Sequence, residues 1–285
     1  MTMKLKFSAL LFSLLFSFSS FSAAEWKNLN EEHHLAGRKT SAGYLRGKVV
    51  LVDRWGVKCP PCRELLPAME RVWLGFKTKP FVVLGGHCRG WGDKAGVEAL
   101  VRENELTYPI YEDAGLVNEP KFDAIPFLYV VDPTGKLLYK GHDYRQATQV
   151  VVTALTDYEE PKDFRQFKRY LDYELLYLPG KASLRLAELK KRFPEEAKQY
   201  AAQERELKKV PDIRLLAEFV DFAHKAKDMR VFKKNEKTKQ KAYEKFVRDA
   251  LESAKYKKLL ESKDSRVVQE AKNCFADLKW TAAEF

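Results

Sequence analysis

Residues 47–62 read GKVVLVDRWGVKCPPC, and this stretch decides the fold of the first half of the chain. Its first part, from Lys48 to Trp55, is apolar and rich in valine, which predicts a buried strand. The helical period of residues 60–76 predicts a helix that begins at the pair Cys59 and Cys62. Two cysteines three positions apart at the start of a helix can close on each other as a disulfide.

The place of Cys59 at the start of this helix favours its thiolate, because free backbone N–H groups and the helix dipole stabilise negative charge there. We therefore expect Cys59 to be the nucleophile and Cys62, one helical turn further on, to be the resolving thiol. A structural disulfide and half of a zinc site are the alternatives. Zinc would need two more ligands, and His87-Cys88 is the one candidate pair. The sequence thus favours a redox-active dithiol with no metal and no organic cofactor.

The first half of the chain continues this alternation of strand and helix patterns as far as residue 158. Further strands are predicted at residues 81–86, 127–132 and 136–140, with a short extended piece at 108–111. Further helices are predicted at residues 96–106 and 146–158. Strands that alternate with helices predict an α/β fold with a partly parallel sheet.

Three motifs that occur in order give this region a family resemblance. They are GKVVLVDRW at 47–55, CPPCRELLP at 59–67, and AIPF at 124–127 with the VDPTGK that follows it. Together they resemble the thioredoxin superfamily, in particular the exported TlpA/ResA-like thiol–disulfide oxidoreductases, over residues 44–143. The resemblance implies a thioredoxin-like α/β fold and disulfide-bonded proteins as substrates. It also implies a reductant that a membrane thiol donor keeps reduced.

The resemblance also assigns expected roles to individual residues. Pro126 is expected to be a cis-proline that faces the dithiol, and Ile125 and Pro126 to form a substrate platform. Trp55 is expected to flank the dithiol and to contact substrate. Asp53 matches the buried acid of thioredoxins; burial should raise its pKa, so that it exchanges a proton with Cys62.

Two positions near the dithiol depart from the family or add to it. Lys58 stands where the family often has tryptophan, and its ammonium group is expected to lower the pKa of Cys59. Cys88 follows the strand at 81–86 and should emerge at the same sheet edge as Cys59. Cys88 is then either an extra redox thiol or the partner of Cys274, which lies on an apolar helix stripe.

The N-terminus has the pattern of a secretory signal peptide. Lys4 and Lys6 precede an uncharged run of leucine, phenylalanine and serine at 7–21, and small residues at 22–24 fit a cleavage site after Ala24. An uncleaved membrane anchor is the alternative. The sequence therefore predicts a signal peptide over residues 1–24 and a periplasmic or cell-envelope location.

The second half of the chain, residues 159–285, has a different composition. It holds 31 basic and 23 acidic residues, so that most of the net charge of +11 lies there. Its apolar residues recur at helical spacing, as at Tyr243, Val247 and Ala250, and predict an all-α domain of five or six helices. Export argues against nucleic acid as a partner, whereas contact with an anionic envelope surface fits the basic excess.

These patterns predict a thioredoxin-like domain at 25–158, a helical domain of unknown role at 159–285, and a thiol–disulfide oxidoreductase activity. Three competing interpretations stay open. One is a non-catalytic envelope scaffold that works through its basic helices, one a disulfide isomerase that would need to dimerise, and one a thiol peroxidase with a peroxidatic cysteine. The apolar fraction of 45% excludes a disordered chain, and four cysteines exclude a disulfide-stapled miniature fold.

Overall fold

A computed structural model describes residues 24–228 and 237–283 of the chain. The predicted signal peptide lies outside these residues apart from Ala24. No helix within the described ranges is long and apolar enough to cross a lipid bilayer.

The strands form one mixed sheet and one small ribbon. In chain order they are β1 (Trp26–Lys27), β2 (His34–Ala36), β3 (Val49–Trp55), β4 (Phe81–His87), β5 (Ile110–Glu112), β6 (Gly115–Leu116), β7 (Phe127–Val131) and β8 (Leu137–Gly141). The sheet has the order β2-β5-β4-β3-β7-β8, and β1 pairs with β6. Strands β3, β4 and β5 are parallel, whereas β7 and β8 are antiparallel to their neighbours. The predicted partly parallel sheet is confirmed, and β3 lies at its centre.

The helices fall into two groups along the chain. The first group is α1 (Ala42–Leu45), α2 (Pro60–Phe76), α3 (Lys94–Glu103) and α4 (Tyr144–Glu159). The second group is α5 (Phe164–Tyr177), α6 (Pro179–Arg192), α7 (Pro194–Ala197), α8 (Ala201–Leu207), α9 (Ile213–Asp228), α10 (Lys237–Glu252), α11 (Ala254–Lys257) and α12 (Ser265–Ala283). Short 3-10 turns occur at Glu31–His33, Lys198–Tyr200 and Lys258–Glu261. The chain thus combines a thioredoxin-like α/β fold with a helical C-terminal part.

The longer helices of the first half begin where the sequence supplies a capping group. Asp93 and Asp143 accept hydrogen bonds from backbone N–H groups in the first turns of α3 and α4. Helix α2 begins after Cys59, with Pro60 and Pro61 in its first turn, where a missing N–H costs no hydrogen bond. The chain therefore turns from β3 into α2 at the dithiol.

The buried apolar residues form two separate cores. Every residue of β3 and β4 is buried, as expected for central strands covered on both faces, and these strands belong to the first core. The second core lies among α5 to α12 and includes Phe167, Phe219 and Leu278. This separation favours the division into domains at 25–158 and 159–285, which we retain as a proposal.

A buried ion pair lies where α4 meets α5 and α6. The Arg185 guanidinium donates to both carboxylate oxygens of Glu174, at 2.6 and 2.9 Å, and the Tyr158 hydroxyl donates to the same carboxylate at 2.9 Å. The Glu174 side chain is 1% exposed and that of Arg185 is 11% exposed. The carboxylate therefore joins the end of α4 to both helices that follow it.

Replacing Glu174 by glutamine is expected to lower the free energy of unfolding by about 3 kcal/mol, because it leaves the Arg185 charge buried and unpaired. Urea titration followed by circular dichroism measures this loss. The matched control is Glu188→Gln, since Glu188 pairs with Arg192 at the surface and both side chains are more than a third exposed. The control substitution should lower the free energy of unfolding by less than about 1 kcal/mol. Equal losses in the two variants would contradict this account of the ion pair.

Candidate active site

The two cysteines of the motif form a disulfide at the start of α2. Cys59 and Cys62 are bonded with their Cα atoms 5.3 Å apart. The Cys62 backbone N–H donates to Cys59 Sγ at 3.3 Å, so Cys59 is the residue that caps the helix. An amide donor and the helix dipole at this sulfur would stabilise a Cys59 thiolate once the disulfide is reduced. Cys59 is 3% exposed and Cys62 is fully buried, so an incoming sulfur can meet Cys59 more readily than Cys62.

A second loop faces the dithiol from the start of β7. The Ile125–Pro126 peptide bond is cis, as the resemblance implies. The carbonyl oxygen of Ile125 lies 3.6 Å from Cys59 Sγ. Both side chains of the loop are half-buried, so part of each faces solvent beside the disulfide. This is the geometry expected of the substrate platform, whose role stays a prediction.

His142 supports the cis-proline loop and was not predicted. Its Nδ1 lies 2.7 Å from the carbonyl oxygen of Pro126, which accepts a hydrogen bond from it in the Nδ1–H tautomer. Its ring also packs edge-on against Phe127, with the ring centroids 5.6 Å apart. A histidine directly after the last strand of a hairpin gives no sequence signal for this contact, because the contact depends on how β7 and β8 pair.

Asp53 lies in β3, the strand that leads into the dithiol, and is fully buried. Neither of its carboxylate oxygens has a hydrogen-bond donor among the described residues. Burial raises the pKa of Asp53 from 3.8 to about 7, and the nearby Arg54 charge partly opposes this rise. A carboxyl group that titrates near neutral pH can both accept and return a proton, as the predicted exchange with Cys62 requires.

Arg54 is an unusual residue for a central strand, and the structure shows how its charge is held. The side chain is buried, and its guanidinium donates to the Ala114 carbonyl and to Asp113 Oδ1, both at 3.0 Å. Glu119 lies 3.7 Å from the Arg54 Nε. The charge is thus paired on the face of the strand opposite to that of Asp53, since neighbouring strand residues alternate between faces.

The structure corrects the expectation for Trp55. Its side chain is fully buried and packs edge-on against His87, with ring centroids 5.2 Å apart, so it lies in the core and does not present a surface to substrate. Lys58, in contrast, is exposed. Because solvent and salt screen an exposed charge, any lowering of the Cys59 pKa by Lys58 should be small. That role stays a proposal.

Cys88 lies at the predicted sheet edge, since its backbone N–H donates to the Trp55 carbonyl at 2.8 Å. Its thiol is buried, and this burial raises its pKa, although the Arg54 charge acts in the opposite direction. The structure contains no Cys88–Cys274 disulfide. Cys274 instead borders a cavity with Lys48 and Pro80, which precede β3 and β4. Cys88 follows the last residue of β4, whereas Cys274 lies near the residues that precede β3 and β4. Because a seven-residue strand spans about 23 Å, the two cysteines lie towards opposite ends of the sheet.

Two curated bacterial relatives each match a little over a third of the chain. The thioredoxin-like protein YneN of Bacillus subtilis is 31% identical over 102 residues, which are 35% of this chain and 60% of YneN. The thiol–disulfide oxidoreductase ResA of Bacillus cereus is 25% identical over 108 residues, 37% of this chain and 61% of ResA. The dithiol and the cis-proline loop agree with these matches. This part of the chain is similar to ResA-like proteins of the thioredoxin superfamily.

Two further comparisons also match part of the chain. The chloroplastic protein SUPPRESSOR OF QUENCHING 1 of Arabidopsis thaliana is 30% identical over 122 residues, 40% of this chain and 12% of that protein. A crystal structure of a thioredoxin-family thiol:disulfide interchange protein from Chlorobium tepidum is 21% identical, with a TM-score of 0.38, and covers 43% of this chain and 90% of its own. The chain spans about three fifths of YneN and ResA. No protein-family model matches the chain.

Proposed function

We propose that this chain is an exported thiol–disulfide oxidoreductase that reduces disulfide bonds in proteins through Cys59 and Cys62. The observation that carries the proposal is the Cys59–Cys62 disulfide at the start of α2, with the Ile125 carbonyl 3.6 Å from Cys59 Sγ. The names of two relatives support the proposal, since YneN is named a thioredoxin-like protein and ResA a thiol–disulfide oxidoreductase. The signal-peptide pattern of residues 1–24 supports export.

The reaction proceeds in two exchanges that balance in sulfur bonds and protons. The Cys59 thiolate attacks one sulfur of the substrate disulfide, so a Cys59–substrate disulfide forms and the second substrate sulfur leaves as a thiolate that takes up a proton. Cys62 then gives its proton to Asp53 and attacks Cys59 Sγ. The Cys59–Cys62 disulfide forms, and the first substrate sulfur leaves and is protonated. The substrate gains two electrons from the dithiol and two protons from solvent, and the proton of Cys62 stays on Asp53.

The residues around the dithiol have separate roles in these two exchanges. The backbone of Ile125 and Pro126 holds an extended substrate segment beside Cys59, and Asp53 stores the proton of Cys62 until the reduced state returns. No organic cofactor or metal is needed in this proposal, because the reduced Cys59–Cys62 dithiol itself supplies the two electrons. A thiol donor at the membrane restores the dithiol by the reverse exchange, in which Asp53 returns the proton to Cys62.

The assay that tests the proposal is the reduction of a disulfide-bonded model peptide by the mature protein, with dithiothreitol as electron donor. Peptide thiols should appear faster than with dithiothreitol alone. The double variant Cys59→Ser/Cys62→Ser should show the rate of dithiothreitol alone, and Cys274→Ser serves as the cysteine control in the helical part. If the double variant retained the full rate, the dithiol would be idle and the scaffold interpretation would stand.

A further inference from the structure

The loop between β4 and α3 places a tryptophan beside the dithiol. In this loop the Trp91 carbonyl accepts a hydrogen bond from the Lys58 N–H at 2.9 Å, and the Trp91 N–H donates to the Cys88 carbonyl at 3.2 Å. The loop is therefore bonded directly to the residue that precedes Cys59.

Close packing fixes this loop against the same segment. A Cβ atom on Gly56 would lie 2.4 Å from Trp91 Cβ and 3.4 Å from Ile125 Cδ1. Gly56 thus lies between the tryptophan and the cis-proline loop, and only a residue without a side chain lets them approach so closely. A Cβ atom on Gly92 would lie 2.5 Å from Val57 Cβ, and Gly92 has a φ of +139°. Two glycines therefore hold Trp91 in place over the segment before Cys59.

The Trp91 side chain is nevertheless 45% exposed. Scattered exposed apolar residues are common, but Trp91 has two half-buried apolar residues in its surroundings, since Val57 lies against Gly92 and Ile125 lies near Gly56. We call Trp91, Val57 and Ile125 the apolar rim of the dithiol. Cys59 itself is only 3% exposed, so a substrate sulfur that bonds to it brings the neighbouring substrate residues onto this rim.

We infer that Trp91 determines specificity by binding an apolar side chain next to the cysteine of the substrate disulfide. The occupant is an extended protein segment, because Cys59 Sγ and the Ile125 carbonyl lie side by side and the mixed disulfide must form there. Tryptophan side chains that are held in place and retain an open face are among the residues that most often dominate protein binding energies. This inference rests on the proposed function, since it assigns the substrate class of the same site.

The test uses two disulfide-bonded peptides that differ only in the residue before one cysteine, which is leucine in one and serine in the other. The measured quantity is the ratio of kcat/KM for the leucine peptide to that for the serine peptide. We expect a ratio of about ten in the unmodified protein, and a ratio near one in Trp91→Ala. Trp91→Phe should keep most of the preference. Leu74→Ala is the matched control, because Leu74 is 42% exposed on α2 but lies roughly 22 Å along the helix from Cys59.

An unmodified protein without a preference, or a Trp91→Ala variant that keeps it, would overturn the inference. A second measurement separates this failure from a failure of the proposed function. Fluorescence anisotropy of labelled peptides with serine in place of both cysteines reports binding without exchange. Tighter binding of the leucine version, lost in Trp91→Ala, supports the apolar rim even if neither disulfide peptide is reduced. Equal binding of the two versions counts against it, and self-association of the chain that Trp91→Ala abolishes would assign the rim to a second copy.

Discussion

Replacing Cys62 by serine is expected to stop turnover and to leave the chain covalently bound to its substrate through Cys59. Cys59 keeps its place at the start of α2, so it still attacks the substrate disulfide. No thiol then stands one turn further along the helix to release it. We expect turnover to fall by at least about 10³-fold, as for other covalent catalysts that lose one member of the reacting set. Intact-protein mass spectrometry after a single addition of substrate measures the trapped complex.

The control for this trap is Cys59→Ser, which should accumulate no mixed disulfide because Cys62 is fully buried in the disulfide-bonded structure. Peptide mapping then identifies the cysteine that holds the substrate. A complex bonded through Cys88, or continued turnover in Cys62→Ser, would contradict the assigned roles of the two thiols. The first of these results would make Cys88 the reacting thiol at this sheet edge.

Asp53→Asn is expected to slow the second exchange, the attack of Cys62 on the mixed disulfide, by about 10²-fold at pH 8. Asparagine fills the same buried space but accepts no proton from Cys62. In the unmodified protein the rate of this step should rise as the pH passes through about 7, where Asp53 ionises. The rise should be absent in Asp53→Asn over the same range. Stopped-flow single-turnover measurements across this pH range test both statements, and an unchanged rate with an unchanged pH profile would remove Asp53 from the mechanism.

Asp53→Asn should also stabilise the folded protein at high pH, because the pKa of Asp53 is raised in the folded state. The folded protein keeps a proton on Asp53 up to about pH 7, whereas the unfolded chain releases it near the ordinary pKa of 3.8. The unmodified protein therefore loses stability as the pH rises from about 4 to about 7, and the loss is complete above that range. Asp53→Asn avoids this loss. It should be more stable at pH 8 by on the order of 4 kcal/mol, and the gain should shrink towards pH 4.

Urea titrations of both proteins at low, intermediate and high pH within this range measure the difference in the free energy of unfolding. The matched control is Asp157→Asn, because Asp157 lies on α4 and pairs at 3.4 Å with the exposed ammonium group of Lys162. Asp157→Asn should change the free energy of unfolding by less than about 1 kcal/mol at each pH. A constant difference for Asp53→Asn at every pH would show that Asp53 is ionised in the folded state over the whole range.

Most of the thioredoxin-like half could be predicted from the sequence because its signals are local. The valine-rich run before Trp55 and the prolines after Cys59 predict β3 and α2, and the structure places them at Val49–Trp55 and Pro60–Phe76. Strand β2 and the β1–β6 ribbon were not predicted. They are two or three residues long, and their pairing depends on distant segments, such as β5 for β2.

The arrangement around the dithiol could be predicted less well, because it depends on contacts between loops. The resemblance placed Trp55 beside the dithiol as a contact for substrate, but β3 is covered on both faces and the Trp55 side chain is fully buried. Trp91 is 32 positions from Cys59 in the chain, and the packing of its loop on Gly56 and its hydrogen bond with Lys58 bring it to the site. The alternative of a Cys88–Cys274 disulfide was wrong for a related reason. The apolar stripe on its helix predicts that Cys274 is buried, but it does not show which end of the sheet the helix packs against.

The central claim is that Cys59 and Cys62 form a reversible two-electron couple, and a redox titration of the mature protein tests it most directly. The protein is equilibrated in thiol–disulfide buffers, quenched, unfolded and alkylated, and each cysteine is assigned by mass spectrometry. The account predicts one transition, at Cys59 and Cys62 together, near about −270 mV, as expected of a reductant. A transition near about −120 mV would make the chain an oxidant. A pair that resists reduction throughout, or never closes, would contradict the claim.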